Sequence, residues 1–199
     1  MAAAATVVAI LAGGRAHRLG GVIKPLLDIG GQRIIDRQMA VLRPLFDQLI
    51  LITNDPGPFA GLGIPLVPDR RPGLGPLAGI DAALAHFATR APSTSVLCVA
   101  GDMPFLHPAI IRHLRDAAPA LALVPRIADR PDPLCARYGP AMAPHVTTAL
   151  SDGRLALHTL LAQLPVVYLD QPELRALDPA LRTFTNINTP EELAAANGQ

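Results

Sequence analysis

Cysteine is scarce in this chain of 199 residues: only Cys98 and Cys135 are present, without metal-ligand spacing. Two such residues support neither a disulfide framework nor a zinc site. Cys98 lies inside the apolar run Val96–Ala100 and reads as a core thiol. Charge is sparse as well. The net value of +1 excludes nucleic-acid or membrane-surface binding driven by bulk charge. No apolar run is long enough to span a bilayer, and the opening stretch Met1–Ala5 lacks the basic region of a signal peptide. A cytoplasmic location is therefore expected. Repeats, low-complexity runs and linkers are missing too, so one domain over residues 1–199 is expected. Half of the residues (50%) are hydrophobic, enough for a sizeable core.

The two familiar phosphate loops are also absent. Lys24 is preceded by Ile23 and followed by Pro25, which is not a Walker A motif, and no G-x-G-x-x-G spacing occurs in the first loop. In their place stands a buried strand, Thr6–Leu11, that runs into Ala12-Gly13-Gly14-Arg15-Ala16-His17-Arg18-Leu19-Gly20-Gly21-Val22-Ile23-Lys24-Pro25. Glycines bring backbone N–H groups close to a ligand, and the cations beside them take negative charge. The pattern describes a pocket for a polyphosphate. As a bland alternative, it is a surface loop with solvated charges.

Strands and helices alternate after this loop, which predicts a parallel α/β sheet. Strands are expected at Leu49–Thr53, Ile64–Val67 near an edge, Val96–Ala100 in the centre, Leu121–Val124 and Val166–Leu169. Helical spacing links Ile35, Met39, Leu42 and Phe46, with Pro44 ending that helix early. Further helices are expected through Leu77–Phe87, Ile110–Leu114, Ala141–Leu150 and Leu155–Leu164. Arg126–Tyr138 reads as an irregular β lobe with a return strand. Thr189-Pro190-Glu191-Glu192 is a helix start with an N-cap threonine and a capping box. The architecture expected is a three-layer αβα sandwich, Rossmann-like and mostly parallel, with that small lobe.

Ligands in open parallel sheets bind at the carboxyl ends of strands, and every candidate motif falls at such an end. Lys24 is the leading catalytic cation, because phosphoryl and nucleotidyl transfer need positive charge where phosphorus becomes five-coordinate. Arg18 can clamp phosphate oxygens in bidentate fashion, with Arg15 as a lesser candidate. Asp102, in Gly101-Asp102-Met103-Pro104, is the best-placed carboxylate for Mg²⁺, which favours one or two carboxylates plus phosphate oxygens. Gly101 would leave room for the metal. Asn54 can read a base edge or form a turn. Gly75-Pro76-Leu77-Ala78-Gly79 opens a helix whose N-terminus attracts anions. Arg137, near Asp132-Pro133-Leu134-Cys135, is a further candidate, for the second-substrate pocket that the family resemblance described next implies.

The set Leu11-Ala12-Gly13-Gly14, Arg18-Leu19-Gly20-Gly21, Lys24, Gly75–Gly79, Gly101–Pro104 and Asn186-Ile187-Asn188-Thr189-Pro190-Glu191 resembles the signature of the molybdenum cofactor guanylyltransferases. The resemblance spans essentially the whole chain, with Leu19 where the family usually has methionine. It implies transfer of GMP from GTP to the terminal phosphate of molybdopterin, with Mg²⁺ as cofactor. It also implies a nucleotide site that includes Asp69, whose other readings are a second metal carboxylate or a salt bridge to Arg70 and Arg71. Asn186 and Asn188 would line the acceptor pocket. Transient contacts with molybdenum-insertion or molybdoenzyme-maturation proteins would follow. The alternatives are a relative using CTP on molybdopterin or another NTP on a sugar phosphate, and a GTP-binding regulatory module without turnover.

Overall fold

A computed structural model of the chain describes residues 5–13, 15–16 and 22–198, with backbone alone for 15–16. The chain begins with β1 (Thr6–Leu11), β2 (Arg15–Ala16), β3 (Val22–Ile23), β4 (Asp28–Ile29), β5 (Gln32–Arg33), α1 (Ile34–Leu42), β6 (Leu49–Ile52) and β7 (Leu66–Val67). It continues through α2 (Pro76–Ala88), β8 (Ser95–Ala100), α3 (Pro108–Asp116), β9 (Ala122–Ile127), β10 (Arg130–Pro131) and β11 (Cys135–Tyr138). It closes with α4 (Ala143–Ser151), α5 (Leu157–Ala162), β12 (Val167–Asp170), α6 (Gln171–Leu177) and α7 (Pro190–Asn197).

The main sheet has the order β10-β9-β11-β8-β1-β6-β7, and β12 pairs in parallel with β9. β1 lies parallel between β6 and β8, with Val8 opposite both Leu49 and Leu97. Side chains of a strand alternate between faces. Val7 and Ala9 of β1, Ile50 and Ile52 of β6, and Val96 and Cys98 of β8 therefore share one core with α2, α4 and α5. Val8, Ile10, Leu51, Leu97 and Val99 share the other with α1, α3 and α6. Both faces are covered, which is why these strands read as unbroken apolar runs. The result is the expected three-layer α/β sandwich.

The antiparallel part expected at residues 126–138 is present as β10 and the return strand β11, and both are continuous with the main sheet. β11 enters the sheet antiparallel between β8 and β9, with Ala136 opposite Cys98 and Arg137 opposite both Leu97 and Leu123. Its four residues are all buried, so the return strand is core. Small two-stranded pairings, β2–β3 and β4–β5, stand outside the main sheet.

The parallel strands β1, β6, β7 and β8 all end at one pole, which is where the site-bearing loops emerge. The C-terminal segment docks on that pole. Ile187 and Ala196 bury themselves against Leu27, Ile29 and Ile34. The Gly30 amide donates to Asn197 Oδ1 at 2.8 Å. Thr189 and Glu192 form the expected capping box at the start of α7. No helix among the described residues is long and apolar enough to cross a membrane.

Candidate active site

A cleft of about 570 Å³ opens at the carboxyl ends of these strands. Lys24 and Asp102 face each other in its wall. Lys24 Nζ donates to Asp102 Oδ2 at 2.7 Å and to Asn188 Oδ1 at 2.5 Å. Their side chains are 22% and 16% exposed, so the pair is largely screened from solvent yet open to the cleft. Lys24 is the only lysine of the chain.

Short backbone bonds set this geometry. The Gly101 amide donates to Leu11 O at 3.0 Å, tying the loop after β8 to the end of β1. A Cβ on residue 101 would lie 2.6 Å from Pro25 Cγ and 3.1 Å from Leu11 O. Gly101 thus lets Pro25, and with it Lys24, pack against the sheet. The Ile187 amide donates to Asp102 O at 3.0 Å, and Glu192 Oε2 accepts from the Asn188 amide at 2.6 Å. The turn before α7 is thereby locked onto the carboxylate loop.

The opposite side of the cleft carries Asn54, Asp69, Gly75, Pro76 and Gly79. Gly75 has φ +75°, a left-handed conformation that L side chains rarely adopt, and it directs the start of α2 at the cleft. Asn54 is not idle. Its Oδ1 accepts the Asp69 amide at 2.9 Å, while Asp69 Oδ1 accepts the Arg71 amide at 2.8 Å. Asn54 therefore shapes the loop that presents Asp69. Leu11 and Gly13 complete the floor, and among the described residues nothing lies within 4 Å of a Cβ built on Gly13.

Several expected residues stand elsewhere. Arg137 does not face the acceptor pocket. It lies buried in β11 at the opposite pole and donates to the carbonyls of Arg115, Ala117 and Ala118. Those groups at the end of α3 have no helical partner of their own, which is why a buried guanidinium is retained there. Burial lowers its pKa, against the opposing charge of Asp116. Leu77 and Ala78 turn their side chains into the core, as does Ala12. Asn186 is half-buried and lies outside the cleft wall, where Asn188 takes its place. Gly14 and Arg18 lie outside the described residues, and Arg15 is described by its backbone only.

Other wall residues carried no signal in the sequence. Thr53, Pro25 and Leu134 also line the cleft. Asp132 sits behind Leu134 in the turn before β11, where its Oδ1 accepts the Leu134 amide at 3.2 Å. Burial pushes its pKa up, and the charge of Asp102 adds to this. The run Pro131-Asp132-Pro133, a carboxylate in a rigid turn, was the one visible hint.

Among the described residues, no three of His, Cys, Asp and Glu come together to hold a metal ion unaided. Asp102 and Asp69 are the carboxylates on the cleft wall, and one or two carboxylates are the donor set that Mg²⁺ uses when substrate phosphates supply the remaining oxygens.

Residues 8–167 match the MobA-like NTP transferase domain. The chain belongs to this family. A probable molybdenum cofactor guanylyltransferase of Methanosarcina mazei is 36% identical, covering 92% of this chain and 86% of that protein. The molybdenum cofactor guanylyltransferase of Rhodopseudomonas palustris is 35% identical over 96% of this chain and 92% of its own length. Among solved structures, the molybdopterin-guanine dinucleotide biosynthesis protein A of Archaeoglobus fulgidus superposes with a TM-score of 0.82 at 32% identity, covering 96% of both chains. A 2-C-methyl-D-erythritol 4-phosphate cytidylyltransferase of Thermus thermophilus shares the fold, with a TM-score of 0.64 at 19% identity and 96% of both chains covered. Membership in the MobA-like transferases makes the chain a nucleotidyltransferase.

Proposed function

We propose that this protein transfers GMP from GTP to the terminal phosphate of molybdopterin and releases pyrophosphate. The observation that carries this reading is the Lys24–Asp102 pair, 2.7 Å apart on the wall of a nucleotide-sized cleft, in a chain of the MobA-like family.

An oxygen of the acceptor phosphate attacks the α-phosphorus of GTP in line, and the bond to the β-phosphate bridging oxygen breaks. That phosphate is already ionised at neutral pH, so no side chain need take a proton. Lys24 supplies positive charge where the phosphorus becomes five-coordinate. In the free protein its ammonium rests on Asp102 and Asn188, close to where it is needed. When bound, Mg²⁺ would neutralise phosphate charge, with Asp102 as its protein ligand. The Asp69 loop and the start of α2, on the far wall, hold the nucleoside end. The reading places the reaction in the cytoplasm, with product passed on through transient contacts with molybdoenzyme-maturation proteins.

The test is pyrophosphate release with GTP, Mg²⁺ and molybdopterin, run beside CTP. A pocket that hydrogen-bonds guanine rejects cytosine by leaving its own polar atoms unpaired, at roughly 1–3 kcal/mol per group, or about ten- to a hundredfold. If CTP matches GTP, the guanylyl assignment fails. Pyrophosphate release from neither nucleotide refutes the enzyme.

A further inference from the structure

Gln38 is a buried amide that the chemistry above does not use. It lies on α1 with no exposed surface, among the apolar residues that cover the second face of the sheet. Its Nε2 donates to Ala100 O at 2.7 Å and to Met103 O at 3.0 Å. These two carbonyls flank Gly101-Asp102. Among the described residues, its Oε1 has no hydrogen-bond partner. The orientation is unambiguous, because a flipped amide would set oxygen against two carbonyl oxygens.

An unpaired buried acceptor is costly, and an interior selected for stability alone would avoid it. What the amide achieves is a two-point brace behind the metal loop. The loop's other fastenings are the Gly101 amide on Leu11 O, the Ile187 amide on Asp102 O, and the Ala100 amide on Leu134 O at 2.7 Å. Each fixes one point of the loop from the cleft side or from the sheet. Among the described residues, Gln38 alone grips both shoulders from behind, and α1 is the rigid element that carries it.

We infer that Gln38 is a positioning residue that sets the reach of Asp102 toward Lys24 and toward a divalent cation on the nucleotide. This rests on the assignment of Asp102 as the metal carboxylate, so the test separates the two. Groups one layer behind a metal ligand typically change metal affinity by about 10–100-fold.

The experiment uses the full chain and the variants Gln38→Met and Asp102→Asn. Mn²⁺ binding in the presence of a non-hydrolysable GTP analogue is followed by electron paramagnetic resonance. In parallel, the rate at which an amine reagent labels Lys24 in the metal-free protein is followed by mass spectrometry. Gln38→Met is expected to weaken Mn²⁺ binding about tenfold or more and to accelerate Lys24 labelling, since Asp102 no longer sits squarely on the ammonium. A purely structural role would lower the melting temperature and leave both readouts at wild-type values, which overturns the inference. If Asp102→Asn keeps wild-type Mn²⁺ affinity, the metal assignment fails, while the labelling rate still reports on the brace. Should Gln38→Met not fold, Gln38→Asn keeps the polarity and stops short of both carbonyls. Failure of both to fold marks Gln38 as a folding residue and also overturns the inference.

Discussion

Gly101→Ala tests the packing that holds Lys24 in place. The added Cβ would lie 2.6 Å from Pro25 Cγ and 3.1 Å from Leu11 O. Carbon–carbon contacts settle at about 3.5–4.0 Å, so Pro25 must retreat by roughly 1 Å. The Leu11 carbonyl belongs to the central strand β1 and will not yield, which leaves the Lys24-Pro25 turn as the part that moves. Overpacking of this kind costs about 1–3 kcal/mol. For a chain of this size each kcal/mol shifts the melting temperature by about 2–4 °C, giving a loss of roughly 2–12 °C. The catalytic effect is larger. A displacement of ~1 Å at a reacting group costs on the order of a hundredfold in rate. The assays are scanning calorimetry and steady-state pyrophosphate release. Gly13→Ala is the control, because among the described residues nothing lies within 4 Å of its added Cβ, and its melting temperature should not change. A Gly101→Ala protein with wild-type kcat and wild-type melting temperature would refute the reasoning.

Lys24→Ala should lower kcat by about 10²–10³-fold while GTP binding, read by calorimetry, weakens far less. Asn188→Ala should lower kcat on the order of tenfold and speed amine labelling of Lys24, because one of its two anchors is gone. Asn186→Ala should leave the labelling rate unchanged, and equal effects of the two would show that the turn acts only as a scaffold. Asp132→Asn should raise stability at neutral pH. Its carboxyl is held above its ordinary range in the fold, so its contribution is full below the unfolded pKa and is lost as pH rises through the folded one. The amide does not titrate and escapes that loss. Thermal melts at acidic and neutral pH check this, and an equal difference between the proteins at both would contradict it.

The elements buried on both faces were legible from sequence. β1, β6 and β8 are continuous apolar runs because helices cover both sides, and α7 was visible because its cap is written in Thr189 and Glu192. β11 was harder to see. Arg137 interrupts its apolar pattern, and only the three-dimensional position of the last turn of α3 explains a buried guanidinium there. α6 escaped notice because Leu174 is its one buried residue, too little for a periodic signal. Within the site, Lys24 and Asp102 were legible from residue type at strand ends. Their direct contact was not, since 78 positions separate them. The same limit hid the bond from Lys24 to Asn188, 164 positions away. Asn54 was readable as a site residue but not as the support of Asp69, since a side-chain amide carries no mark of which partner it meets.

The antiparallel insertion of β11 has a consequence for how the chain reaches this state. β1 and β6 can zip together early in synthesis, but β8 arrives far later, and its second edge waits for residues 135–138. During that interval Val96–Ala100 offers an unpaired, wholly apolar edge to any other strand nearby. Topologies dominated by such distant pairings collapse slowly and expose sticky intermediates. Refolding yield should therefore fall as protein concentration rises, and the losses should be traceable to the edge that β11 is last to seal.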